Sequence, residues 1–460
     1  MSLAVLKTES RRSVAPWAGF VILAAGMGFL WLIDGPWWSG TARWTSQWTS
    51  MALWTRSLLT FLWPLAVGLG ALQGLRDSRS RISELLTTTP RPAAHRAAVP
   101  AGATALFSAS AFALLVLVGA AQVLLGDTTY THLAWLPISL VGALSLVAGA
   151  LFGMGVGRSL PSALTPPAVA VSALLATVLL QQTADEALPS GLAPNRLSLL
   201  SPAVSQVRES LLTLSVAVHL GQTLWLLGLA ATGFALLAAR SARARLAALA
   251  PVLAAGVLAL LVLPAEPRQT YVVDQAAASQ VCDGPVCVTE AHRHRLAELA
   301  PHGKEALRRL RDALGDKAPE TIQEETALRG ITADRVPSPD TVLIDFDDPV
   351  VTHAKGRALT RVLIAQGMAP NCVPRSDRES GTLGELAAQS VAAGWALGDL
   401  RLLAGSVHRE DHLRDRARPL WRKLNALPRD EQRARIAALH QAALSCEGGA
   451  AHALTGGASR

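Results

Sequence analysis

Long apolar runs separated by short arginine-bearing loops fill the chain up to Pro264, and a mixed polar texture follows. A helix needs about 20 mostly apolar residues to cross the hydrocarbon core. Seven stretches read as spans: 16–33, 51–75, 104–126, 133–157, 166–182, 212–238 and 247–264, the fifth and seventh being short. Beyond them, Thr270–Val273, Thr341–Phe346 and Arg361–Ile364 read as strands. The segments 291–314, 381–404, 411–425 and 429–445 read as helices. The predicted fold class is an α-helical polytopic membrane bundle of about seven spans, followed by a soluble α+β, mostly helical domain over 265–460. Pro264, Glu266 and Pro267 make the linker short, which keeps that domain close to the membrane.

Charge divides the same way. Residues 1–264 carry 16 Lys/Arg against 8 Asp/Glu, and residues 265–460 carry 26 of each, so the whole net charge of +8 belongs to the apolar part. A nucleic-acid binder would cluster basic residues on a soluble fold; here the arginines punctuate apolar runs, and no nucleic-acid partner is expected. Cytoplasmic loops concentrate Lys and Arg. With residues 1–15 inside, the inner segments hold Lys7, Arg11, Arg12, Arg76, Arg79, Arg81, Arg91, Arg96, Arg158, Arg240, Arg243 and Arg245. The opposite loops hold Arg43, Arg196 and Arg208, with Arg56 just inside the second span. Seven crossings then place 265–460 outside the cytoplasm. Enrichment in alanine, arginine and leucine suits a high-GC bacterium, hence a bacterial cell membrane.

Tryptophan and cysteine agree with this topology. Trp31, Trp37, Trp38, Trp44, Trp48 and Trp54 crowd the first outer loop and its flanks, where indole rings sit at the headgroups or line a hydrophobic hairpin. They also replace the small-residue cleavage site that a signal peptide would need after the first span. All four cysteines, Cys282, Cys287, Cys372 and Cys446, lie in the soluble region, as suits an oxidising space. A turn between Cys282 and Cys287 favours a local bridge, leaving Cys372 with Cys446; sequence leaves three connectivities open.

Polar groups inside spans are costly and often functional. His219 and Gln222 in the sixth span form the candidate intramembrane polar site, with Gln181 and Gln182 ending the fifth; bonding between helices is the plainer role. Arg56 reads as snorkelling to the headgroups. Gly68, Gly70, Gly74, Gly149, Gly153, Gly155 and Gly157 permit close helix approach.

The soluble region invites a search for catalytic chemistry, since His292, His294, His302, His353, His408 and His412 are all there. His408 and His412 are four apart, but Arg409 stands where a zinc-peptidase helix carries its glutamate. A charged, solvated helix face accounts for them. Leu383-Gly384-Glu385-Leu386-Ala387-Ala388 resembles a metallopeptidase helix with both ligand histidines replaced, by Gly384 and Ala388. That resemblance implies a degenerate peptidase fold used for binding. Asp345, Asp347 and Asp348 could attract calcium, but after a strand they read as a turn cap. No catalytic residue and no metal site is assigned.

The informative loop is 76–103, between the second and third spans. From Leu75 to Pro92, Ile82, Leu85 and Leu86 form one apolar helical stripe flanked by Arg79, Arg81 and Glu84, and Pro90 stops it. A short amphipathic helix of this kind suits docking on a soluble partner. Arg79, Arg81, Glu84-Leu85-Leu86 and Thr89-Pro90-Arg91 resemble the cytoplasmic loop of type-2 ATP-binding-cassette (ABC) exporter permeases, over about residues 10–245. The resemblance implies a six-span permease-like bundle, 16–246, whose coupling loop contacts an ABC ATPase subunit. It also implies pairing with a second permease subunit. Residues 183–211 keep an intermittent apolar pattern through Leu197, Leu199, Leu200, Val204 and Val207, either an ordinary surface helix or the short outer-leaflet helices that the family often carries here. The seventh span, 247–264, and the 265–460 domain are additions to that pattern. No Gly-x-x-x-x-Gly-Lys-[Ser/Thr] occurs; Gly303-Lys304 is followed by Glu305. The expectation is a non-enzymatic chain, with ATP and Mg held by the partner and no cofactor of its own.

Overall fold

The computed structural model describes residues 14–33, 44–76, 92–126, 128, 130–181, 194–203, 211–266, 269–326, 336–372, 382–404, 409–446 and 450–456. The apolar part forms α1 (Ala15–Leu32), α2 (Trp48–Ser57), α3 (Leu59–Gly74), α4 (Ala93–Leu124), α5 (Trp135–Ser159), α6 (Thr165–Gln181) and the short α7 (Asn195–Ser198). After β1 (Leu212–Leu214) come α8 (Val216–Ala238), α9 (Ala242–Ala247) and α10 (Ala250–Val262). These long helices carry apolar residues all round, the pattern of helices with no solvated face. Large side chains stay exposed on the bundle surface, such as Phe20 at 61%, Leu117 at 59% and Leu253 at 68%, forming a belt suited to lipid.

Among the described residues, five helices are long and apolar enough to cross a membrane, or six if the bent pair α2–α3 is one span. Seven full spans were expected. The second candidate is broken by a 50° bend between Trp48–Ser57 and Leu59–Gly74. Thr55, Ser57 and Thr60 cause it locally, donating their hydroxyls to the carbonyls of Ala52, Trp54 and Ser57 at 2.9, 2.8 and 2.9 Å. Such back-bonding competes with the helix ladder and bends it. The fifth candidate, α6, has 17 residues, or about 26 Å of helix against a core of about 30 Å. The sixth candidate begins with β1 rather than helix, because Leu212, Thr213 and Leu214 pair antiparallel with Val273, Val272 and Tyr271.

Close backbone packing holds the bundle together. A Cβ on Gly153 would lie 2.0 Å from the Val67 carbonyl oxygen, and one on Gly70 only 2.1 Å from that of Ala150. Gly74 and Gly157 meet the carbonyls of Met154 and Ala71 at 2.2 and 2.3 Å in the same way. The glycines therefore form a reciprocal seam between α3 and α5, as small residues do in membrane helix pairs. Gly153→Ala is expected to force the seam apart and cost about 1–3 kcal/mol. Thermal unfolding in lipid nanodiscs measures this, and a wild-type melting profile would refute the seam.

The sheet-containing region holds β2 (Tyr271–Val273), β3 (Gln280–Asp283), β4 (Val286–Thr289), α11 (Leu296–Leu314), β5 (Thr321–Glu324) and β6 (Thr341–Ile344). There follow α12 (Pro349–Thr352), α13 (Arg357–Met368), α14 (Leu383–Leu397), α15 (Glu410–Asn425), α16 (Arg429–Ser445) and α17 (Ala450–Thr455). Strands β3-β4-β5-β6 form one sheet, antiparallel at β3–β4 and parallel thereafter. The β3–β4 hairpin turns at Gly284-Pro285, where Gly284 has φ +62°, the freedom a two-residue turn asks of its first residue. Directly opposite each other on the hairpin, Cys282 and Cys287 are disulfide-bonded, and Cys372 is bonded to Cys446. Both bridges match the pairing favoured from sequence. The strand expected at Arg361–Ile364 lies instead inside α13. All ten residues from Leu359 to Met368 are buried, and a short continuous apolar run does not distinguish a buried strand from a helix buried on every side.

Candidate functional site

The bundle has two chemically distinct ends. Arg76 follows α3, Arg96 lies in the first turn of α4, Arg158 ends α5, and Arg240 to Arg245 follow α8. Arg245 donates to the Ser159 carbonyl at 3.2 Å, and the Val14 backbone N–H reaches Gln73 at 3.3 Å, tying these termini into one arginine-bearing end.

The sheet-containing region rests on the other end. Gln47 contacts His292 at 3.3 Å, Asn195 donates to the Pro264 carbonyl at 3.0 Å and to Thr270 at 3.3 Å, and His132 lies 3.8 Å from Asp274. His292 is in turn held by Glu324 of β5 at 2.6 Å. Burial lowers the His132 pKa, with the Asp274 carboxylate opposing. The β1–β2 ladder adds backbone bonds between bundle and domain. Tryptophans of this end turn inward rather than to the headgroups: Trp31 meets Trp44 edge-on at 5.1 Å, Trp48 stacks on Trp135 at 5.4 Å, and Trp44, Trp48 and Trp54 are buried.

Inside this end lies the polar cluster. Arg56 on α2 is fully buried and does not snorkel. Its Nε and Nη2 donate to the Pro202 carbonyl at 3.3 and 3.1 Å, and Nη2 also donates to Gln222 Oε1. Gln222 Nε2 donates to the carbonyls of Leu199 and Ser201, both at 3.0 Å. The 199–202 segment after α7 thus aims three carbonyls into the bundle, and irregular backbone at such depth persists only where protein groups satisfy it. Gln222 lies six residues into α8, about 9 Å along it. Of the two polar residues singled out in this span, Gln222 is the one engaged. Among the described residues His219, one helical turn away, leaves Nδ1 buried without a partner, as do Arg56 Nη1 and the hydroxyls of Ser201 and Ser215. Among the described residues Arg56 has no carboxylate partner. Sequence reading missed its role because its partners are 146 and 166 positions away; a charged residue within an apolar run was the available signal.

Other candidates fall elsewhere. Arg79, Arg81, Glu84, Leu85, Leu86, Thr89, Pro90 and Arg91 lie outside the described residues, as do Gln182 and His408. Gly74 and Ala93, which flank the coupling segment, stand at the arginine-bearing end. Glu385, at the catalytic position of the peptidase-like helix, forms a capping box with Thr382 and accepts the Cys372 backbone N–H at 3.1 Å. Its carboxylate caps the start of α14. Asp348 caps α12 through the Val350 N–H at 2.8 Å, as its position after a strand suggested. The chain matches no protein-family model, no curated protein and no solved structure.

Proposed function

We propose that the chain is the membrane-spanning permease subunit of an ABC-type exporter, driven by a separate ATPase that docks on the 79–91 segment. The observation that carries this reading is positional. The basic Glu-Leu-Leu-x-x-Thr-Pro pattern lies in sequence between α3 and α4, whose flanking ends stand at the arginine-bearing end, opposite the disulfide-bonded domain. Counting the bent pair and α6 as crossings gives seven, with the N-terminus cytoplasmic and 265–460 extracytoplasmic in a bacterial cell membrane. The short α7 and its inserted 199–202 segment stand where this family carries outer-leaflet helices. Two such subunits, identical or different, would pair to form the path, and ATP and Mg would sit on the ATPase. Closure of that partner would push on 79–91 and shift the α3–α5 seam, while the outer domain binds or gates substrate.

Glu84→Arg or deletion of 79–91 is expected to abolish co-purification with the ATPase while the chain still inserts. Retention of the ATPase at wild-type yield by either variant would defeat the proposal. A second reading, a non-transporting sensor or scaffold displaying a degenerate peptidase-like domain, is favoured by the fixed seat of that domain on Gln47, His132, Asn195 and β1. ATP-dependent efflux from vesicles separates the two, because a scaffold moves nothing.

A further inference from the structure

The soluble domain contains a cleft that the permease reading leaves unused. It is open, about 390 Å³ in volume, and lies between α11, the first turns of α13 and the loop following α14. That volume falls in the range of about 300–1,000 Å³ typical of small-molecule sites. Its apolar floor includes Val362 and Leu403, only 2% and 3% exposed. Its polar lining is predominantly basic: Arg309, Arg357, Arg361 and Arg401 face it together with His302 and His353, and Glu305 is the carboxylate among them.

The carboxylates nearby position these guanidiniums without cancelling them. Glu305 accepts from Arg309 Nε at 2.9 Å, which leaves the terminal nitrogens of Arg309 without a partner among the described residues. Asp399 accepts from Arg401 Nε at 2.8 Å and from Arg361 Nη2, while Arg361 Nη1 donates to the Asp399 carbonyl at 3.0 Å. Hydrogen bonds from arginine hold both acids below the ordinary carboxylate range, so both are ionised at neutral pH. The Arg357 guanidinium has no hydrogen bond or ion pair among the described residues. Four guanidiniums against two carboxylates leave a positive excess. His302 is oriented through Nδ1 by Thr360 at 2.9 Å.

We propose that this cleft binds a phosphate monoester carrying an apolar body. Several planar guanidinium forks match a tetrahedral dianion better than they match one carboxylate, and the apolar floor would take the rest of the ligand. Soluble phosphate esters and a phosphatidic acid headgroup share this chemistry. The proposal stands whether the bundle transports or only mounts the domain.

The test uses the full chain in zwitterionic nanodiscs, titrated calorimetrically with phenyl phosphate and, separately, with benzyl alcohol. Phenyl phosphate should bind saturably and benzyl alcohol should not. Arg357→Glu should weaken phenyl phosphate binding by at least about tenfold, the loss expected for one charge-assisted contact. Arg357 is exposed and unpaired, so this variant should fold; Arg309→Gln provides a second reading at a different element. Phosphatidic acid in the nanodisc would suppress binding if a headgroup is the source and leave it unchanged if a soluble ester is. No saturable binding, equal binding of the alcohol, or wild-type affinity in both variants would each overturn the assignment.

Discussion

Gln222→Leu is expected to destabilise the bundle by about 1.5–3 kcal/mol, the contribution of a hydrogen bond to a buried charged group. The substitution leaves the Arg56 guanidinium with a single acceptor, the Pro202 carbonyl, in a region without bulk water. It also strips the donor from the carbonyls of Leu199 and Ser201, releasing the inserted segment. The revealing comparison is the Arg56→Met/Gln222→Leu double variant. With the charge gone, the largest part of the penalty goes with it, so the double variant should be more stable than Gln222→Leu alone. Unfolding in nanodiscs, followed by tryptophan fluorescence, reads all three proteins on one scale. A double variant less stable than Gln222→Leu would mean that Arg56 stabilises by packing rather than as a satisfied charge.

Opening the Cys372–Cys446 bridge by Cys372→Ser should cost the soluble domain about 4 kcal/mol, and opening Cys282–Cys287 about 2 kcal/mol. The difference comes from loop length. The first bridge closes a separation of 74 residues and the second one of 5, and the entropy withheld from the unfolded chain grows with the logarithm of that length. Geometry bears on where the opened domain frays. Cys446 terminates α16 at φ +54°, a left-handed conformation a non-glycine residue adopts at a cost of roughly 1–2 kcal/mol. Once freed, it loses the bond that holds α16 beside the end of α13. Limited proteolysis should then cut α16 and α17 first in Cys372→Ser, whereas Cys282→Ser keeps the hairpin through its ladder to β5. Equal protease resistance of the two variants would contradict the loop-length account.

Much of this protein is legible in one dimension. Apolar runs of span length, arginines at alternate loop positions, glycines spaced for close approach and the helices after 410 are local properties. Each is written within one or two dozen residues and needs only burial or lipid to be expressed. The disulfide pairing was favoured on similar grounds, since a turn between Cys282 and Cys287 leaves Cys372 and Cys446 to each other.

Tertiary structure decided what depends on residues far apart in sequence. Arg361–Ile364 becomes helix because the stretch of α13 from Leu359 to Met368 is buried on every side, and a short, mostly apolar run carries no period to announce that. The inward turn of the tryptophans, the seat of the domain on Gln47 and Asn195, and the meeting of Arg56 with Pro202 and Gln222 join segments that local pattern treats as unrelated. So does the arginine cleft, assembled from three separate elements. The physical reason is common to all of them. Hydrophobicity and helix period are properties of a neighbourhood along the chain, whereas satisfying a buried charge, or gathering like charges around a space, is a property of neighbourhood in space.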